Sequence, residues 1–165
     1  RPPKALATRA EAFAAHPLVF VAPAGHALLR GGPLPVTALE GHPFVVREAG
    51  SGTRAAMEQY FLERRFEPRI TMDMSSNETI KQAVVAGMGI SFLSLHTVGL
   101  EVASGLMGLL NVEATPVMRT WNIVTLQSKL LSPVADAFRR FVIEHGEEHL
   151  LASDAPLLAR LREQH

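Results

Sequence analysis

Short apolar runs alternate along this chain with stretches whose apolar residues recur at helical spacing, and that alternation restricts the fold more than any single motif. Residues 18–22 (Leu-Val-Phe-Val-Ala) read as a strand that stops at Pro23, 44–46 (Phe-Val-Val) as a short buried strand, 69–74 as an alternating strand and 90–93 as another buried one. Between them, 53–65 places Met57, Tyr60 and Phe61 on one helical face. Ile80, Ala83 and Val84 continue a second helical stripe, which Gly87-Met88-Gly89 ends. Residues 96–103 then read as helical and 108–112 as extended. Strands and helices in alternation with short connections predict an α/β domain whose sheet is at least partly parallel.

Beyond Pro116 a further strand is expected at 120–126, and Ser132-Pro133 starts a helix with preferred N-cap and N1 residues and an apolar face of Val134, Phe138, Phe141 and Val142. The first sixteen residues offer no evident strand partner for it, so its neighbours are expected before Arg1. The chain therefore divides into 1–16, the end of one lobe and a hinge; 17–113, a complete second lobe; and 114–165, the hinge return, the last part of the first lobe and a tail helix. In that tail, Leu150, Leu151, Leu157, Leu158 and Leu161 suggest packing on the body or a partner.

At 165 residues, 47% hydrophobic and 19% charged, the chain can bury a real core, and disorder is set aside. Sixteen basic residues cancel sixteen acidic ones, so no overall positive field holds nucleic acid. The absence of cysteine removes disulfides and thiolate chemistry and suits a reducing compartment. No apolar run is long enough to span a membrane and no signal peptide opens the chain, which starts at Arg1 rather than Met and reads as a fragment.

The chemistry concentrates at Arg47-Glu48-Ala49-Gly50-Ser51-Gly52-Thr53-Arg54, where a strand gives way to a helix through a glycine and hydroxyl loop. Unpaired amides and the positive end of a helix dipole favour a carboxylate or phosphate there. Ser51, Thr53 and Arg54 add donors, while Gly50 and Gly52 let a ligand approach the backbone. An ordinary Ser-capped helix explains the same residues. Ser75-Ser76-Asn77-Glu78 marks a second helix start, with Ser75 and Glu78 as a reciprocal capping box. Both helices follow strands, so both begin at the carboxyl edge of a sheet, where α/β proteins bind ligands.

Catalytic motifs are not supported. Gly87-Met88-Gly89 lacks the third glycine of a dinucleotide fingerprint and runs from helix to strand, the reverse of that motif. His145-Gly146-Glu147-Glu148-His149 matches a zinc-protease pattern, but Gly146 weakens the helix and no third ligand is marked; the other histidines, His16, His26, His42, His96 and His165, are dispersed. Neither a nucleophile elbow around Ser51 nor a Walker A lysine is present.

Four blocks in order, Pro23-Ala24-Gly25-His26-Ala27-Leu28, Phe44 through Arg54, Ser75 through Val84 and Gly87-Met88-Gly89-Ile90-Ser91, resemble the effector-binding domain of LysR-type transcriptional regulators over residues 18–142. Within that family the wording of residues 75–91, together with Trp121, is most like the regulators of carbon-fixation (RuBisCO) operons. The resemblance implies a periplasmic-binding-protein-like (type 2), two-lobed, Rossmann-like α/β fold, its second lobe complete and its first incomplete. A small anionic metabolite, such as a phosphorylated sugar or a nucleotide, would bind between the lobes. Gly50, Ser51, Gly52, Thr53, Arg54, Ser75, Ser76 and Asn77 would be the effector-binding contribution of this chain. The resemblance also implies a cytoplasmic protein that is not an enzyme and uses no cofactor or metal. It would form a homodimer or tetramer, with helix 53–65 and strand 18–22 as pairing surfaces, and reach DNA only through an N-terminal winged helix-turn-helix. A solute-binding component of a transport system is the alternative with the same lobe architecture.

Overall fold

One sixteen-residue strand, β1 (Thr8–Pro23), organises the molecule, and every other strand of its sheet is hydrogen-bonded to it. A computed structural model describes residues 7–163, with side chains described to residue 152 and at Leu157. After β1 come two single turns of 3-10 helix, β2 (Pro43–Arg47), α1 (Gly52–Glu63), β3 (Arg69–Met74), α2 (Asn77–Val85), β4 (Ser91–Ser94), α3 (Leu95–Ala103), β5 (Met107–Leu110), β6 (Val117–Leu126) and α4 (Pro133–Glu163).

The second half of β1 lies between β4 and β5, antiparallel to both, and its first half pairs antiparallel with β6 from Thr8↔Leu126 to Leu18↔Val117. β2 and β3 form a parallel pair, and β2 is tied to the start of β4 by hydrogen bonds from the Val45 amide to the Ile90 carbonyl and from the Ile90 amide to the Pro43 carbonyl, each 2.9 Å. The sheet is thus mixed, parallel at β2 and β3 and antiparallel around β1.

Two expectations are corrected here. The partner of β6 lies within the chain, in the first half of β1. That stretch, Thr-Arg-Ala-Glu-Ala-Phe-Ala-Ala, is poor in β-branched residues and carries a bulge at Phe13, between Ala12 and Ala14, so only the cross-strand pairing makes it a strand. Residues 18–22 are no pairing surface either. Leu18 through Ala22 are all at most 1% exposed, in the middle of the sheet.

Alternation along the strands sorts their side chains onto two faces. Leu18, Phe20, Phe44, Val46, Phe92 and Leu110 pack with Ala56, Met57, Tyr60 and Phe61 of α1. Val19, Val21, Val45, Leu93 and Leu109 pack with Ile80 and Val84 of α2, Val98 and Val102 of α3, and Leu157 of α4. Covering both faces explains why these strands read as unbroken apolar runs. Phe20 is the centre of the first face, its ring 4.8 Å from Phe92, 5.4 Å from Tyr60 and 5.6 Å from Phe61.

Charge joins α2 to α3. The Lys81 ammonium, 6% exposed, lies 2.9 Å from Glu101 and 2.8 Å from Glu78. Burial opposes its charge, and the two carboxylates outweigh burial, so its pKa is raised. The expected capping box is therefore shifted by one residue. Ser76 is the N-cap, accepting a long 3.5 Å bond from the Thr79 amide, while the Glu78 carboxylate goes to the buried ammonium instead of back to the backbone.

The helix expected after Ser132 forms, with the Ser132 hydroxyl accepting from the Ala135 amide at 3.3 Å, and continues unbroken through Gly146. At that glycine the Phe13 ring comes so close that a Cβ would sit 2.9 Å from it, so packing sets the residue where helix propensity alone would reject it. Of the tail leucines, Leu157 is buried at 4% exposure, Leu151 is 43% exposed, and the side chains of Leu158 and Leu161 lie outside the described residues, as does His165.

Candidate functional site

At the carboxyl end of β2 the chain turns through Gly50, at φ +91°, and enters α1 at Ser51. The Ser51 carbonyl accepts the first helical bond, from the Ala55 amide at 2.9 Å, but its hydroxyl makes no capping bond. The amides of Gly52, Thr53 and Arg54 have no hydrogen-bond partner among the described residues. The helix thus keeps its positive N-terminus and orphan donors available, and Ser51 is a cap in backbone conformation only.

This terminus borders a recess of about 340 Å³ lined by His16, Leu18, Arg47, Ser51, Gly52, Thr53, Arg119, Thr120 and Trp121. β1 contributes His16 and Leu18, β2 contributes Arg47, and β6, which runs beside β1, contributes Arg119 to Trp121. The recess therefore sits where the lobe containing α1 meets the crossing pair of strands. Arg119 is exposed and has no hydrogen bond or ion pair among the described residues. Arg47 is more constrained: it donates to both Glu48 oxygens at 2.8 and 3.0 Å, and to Asn77 Oδ1 at 2.9 Å.

His16 and Trp121 give the recess an aromatic wall, and His96, which does not line it, packs against both. The Trp121 indole lies 4.8 Å from His16 and 5.2 Å from His96, centroid to centroid, and the two imidazoles stack at 6.1 Å. Burial, then the neighbouring charges of His96 and Arg119, push the His16 pKa down to about 4, so this wall carries a neutral imidazole at neutral pH. Its buried Nε2 makes no hydrogen bond among the described residues.

The sequence candidates separate on this geometry. Ser51, Gly52 and Thr53 line the recess and Gly50 shapes the turn into it. Arg54 points elsewhere, donating along its helix to Glu58 at 2.6 Å and back to the Arg47 carbonyl at 3.2 Å; it braces the loop. Asn77 reaches the recess only through Arg47, and Ser76 caps α2, so the two helix starts converge through that one arginine. Ser75 and Ser76 do not line the recess. His16, Arg47, Arg119 and Trp121 were not among the candidates. Arg47 opened the quoted motif and could have been found there, whereas His16 and Arg119 come from strands far apart in sequence. No group of three or more potential metal ligands occurs among the described residues, His145 to His149 included.

A three-layer α/β lobe joined to a crossing strand pair, with a polar recess at a helix start beside the crossover, defines a ligand-sensing domain of the two-lobed binding-protein class. The chain belongs to the LysR substrate binding domain family, whose family model matches residues 1–147. Among curated proteins it is 46% identical over 150 residues to the transcriptional regulator CfxR of Cupriavidus necator, covering 91% of this chain and 47% of that protein. It is 41% identical over 157 residues to CbbR of Rhizobium meliloti, covering 94% and 50%. The chain thus spans about half the length of the curated relatives it matches. Among solved structures, the Synechocystis PCC6803 CcmR regulatory domain in complex with 2-PG superposes with a TM-score of 0.80 at 35% identity, over 87% of this chain and 69% of that one. The QuiR effector-binding domain in complex with shikimate shares the fold at a TM-score of 0.75 and 19% identity, over 86% of this chain and 66% of that one.

Proposed function

We propose that this chain is the ligand-sensing part of a transcriptional regulator of carbon-fixation genes, and that it takes a small anionic metabolite into the recess at the start of α1. The observation that carries the reading is the convergence of the Gly52 and Thr53 amides, which have no hydrogen-bond partner among the described residues, with the Arg47 and Arg119 guanidinium groups around one recess. Helix termini and guanidinium groups both favour a carboxylate or phosphate. The CbbR and CfxR relatives and the 2-PG complex of CcmR support the same assignment.

In this reading residues 17–113 are the second regulatory lobe, 1–16 and 114–165 carry the crossing strands and the returning part of the first lobe, and the ligand bridges them. Ser51, Gly52 and Thr53 bind the anion, Arg47 and Arg119 neutralise it, and Gly50, Arg54, Ser76 and Asn77 hold the loop in place. Promoter binding and assembly into a homo-oligomer belong to the whole regulator in the cytoplasm. No helix among the described residues is long and apolar enough to cross a membrane.

Calorimetric titration of 2-PG into the full-length regulator tests the site. Thr53→Ala and Arg47→Ala are each expected to weaken binding about tenfold, the scale of one charge-assisted hydrogen bond. Unchanged affinity in both variants rejects the recess as the effector site.

A further inference from the structure

A second recess, of about 270 Å³, lies between the last turns of α1 and the return from β5 into β6, and it shares Arg119 with the first. Its walls are Ala56, Gln59, Tyr60, Glu63 and Arg64 of α1 and Ala114 to Arg119 of the return, without Thr115. Two of its lining side chains carry a guanidinium. That of Arg64 lies flat over the Tyr60 ring, 3.9 Å from its centroid, and is held there by a 3.0 Å bond to the Tyr60 carbonyl. That of Arg119 has no partner among the described residues.

The same recess is lined by the apolar side chains of Ala56, Pro116, Val117 and Met118. Tyr60 adds no free polar atom, because its hydroxyl donates to the Glu113 carbonyl at 2.8 Å. The charges select the occupant. The lining holds two guanidinium groups and one carboxylate, Glu63, which lies 3.5 Å from Arg64, so its charges sum to plus one and favour an occupant with a single acid group. At about 30 Å³ per water molecule its volume equals roughly nine waters, the size of a small organic acid.

We propose that this recess is a second effector site, for a small monocarboxylate with an apolar body, and that it opposes the first site because both draw on Arg119. A carboxylate here pulls the Arg119 guanidinium away from the cleft, so each ligand weakens the other by the same factor. The opposition rests on the cleft reading above; the recess itself does not.

Hexanoate serves as the probe, titrated calorimetrically into the full-length protein with hexan-1-ol and hexylammonium as neutral and cationic controls. Saturable one-to-one binding of hexanoate is expected, with both controls about tenfold weaker or worse. Gln59→Glu adds a charge at an exposed rim position where folding is not at risk, and is expected to weaken hexanoate about tenfold while leaving 2-PG affinity within about twofold. Arg64→Ala is expected to act in the same way, and Arg119→Ala to weaken both ligands. Saturating hexanoate should lower 2-PG affinity several-fold, and 2-PG should lower hexanoate affinity equally.

No saturable hexanoate binding up to about 10 mM, or binding indifferent to Gln59→Glu and Arg64→Ala, overturns the second site. Hexanoate binding that leaves 2-PG affinity unchanged overturns the opposition. A protein that binds hexanoate but not 2-PG keeps the second site and rejects the cleft reading.

Discussion

Replacing Lys81 by Met tests how α2 is held against α3, and through Asn77 how Arg47 is held beside the recess. The Lys81 and Glu101 side chains are 8% and 9% exposed, with their charged atoms 2.9 Å apart. Glu101 Oε2 is buried and has no hydrogen bond, so Lys81 is what compensates this carboxylate. Glu78 is the lesser partner, because its side chain is 73% exposed and can turn to water. Methionine keeps most of the lysine's length but leaves a buried carboxylate without a counter-charge, which costs about 3–5 kcal/mol. For a chain of this size that lowers Tm by about 6–20 °C. Urea denaturation followed by circular dichroism measures the loss. The Lys81→Met/Glu101→Leu pair removes both charges and should recover most of it, since apolar replacement of a buried ion pair is close to neutral. A loss below about 1 kcal/mol in the single variant, or no recovery in the double one, refutes the reasoning.

Leu157→Ala, in the tail of α4, empties a site packed among Val98 and Val102 and should cost about 2–4 kcal/mol in denaturant unfolding, with earlier proteolysis of the tail. Gly146→Val forces a side chain against the Phe13 ring, 2.9 Å from where its Cβ would stand, and is expected to destabilise by about 1–3 kcal/mol despite the better helix propensity. His16 prefers the neutral form when folded, its pKa lowered to about 4 from 6.5. Its contribution to stability is therefore full above pH 6.5 and is lost as pH falls from 6.5 to 4, by about 1–2 kcal/mol once solvent screening of a partly exposed ring is allowed for. His16→Phe should flatten that part of the stability profile, and an unchanged slope assigns the loss to another group.

The two helix starts show how far local reading reaches. Gly50 to Thr53 were legible as a glycine turn into an uncapped helix start because the requirement is local: a left-handed glycine, orphan amides and a helix behind them. Ser75 and Glu78 were misread by one residue, because the capping box competes with an ammonium that only tertiary packing buries beside Glu101. Arg54 looked like a ligand donor for its charge, but Glu58, one turn along the same helix, takes it first.

Apolar runs and helical stripes carry the identity of the elements and their alternation, because burial of one face or two leaves a period in the sequence. By itself the sequence determined the α/β class, the strand and helix order from Leu18 to Ala103 and the place of the glycine turn that enters α1. Tertiary structure alone decided that the weakly patterned first half of β1 is the partner of β6. It alone brought His16, Arg47, Arg119 and Trp121 around one recess, and it alone let Arg119 face a second. His16, Arg119 and Trp121 lie on strands whose pairing closes loops of more than a hundred residues, from Thr8 to Leu126, and no local period records which side chains such a closure brings together.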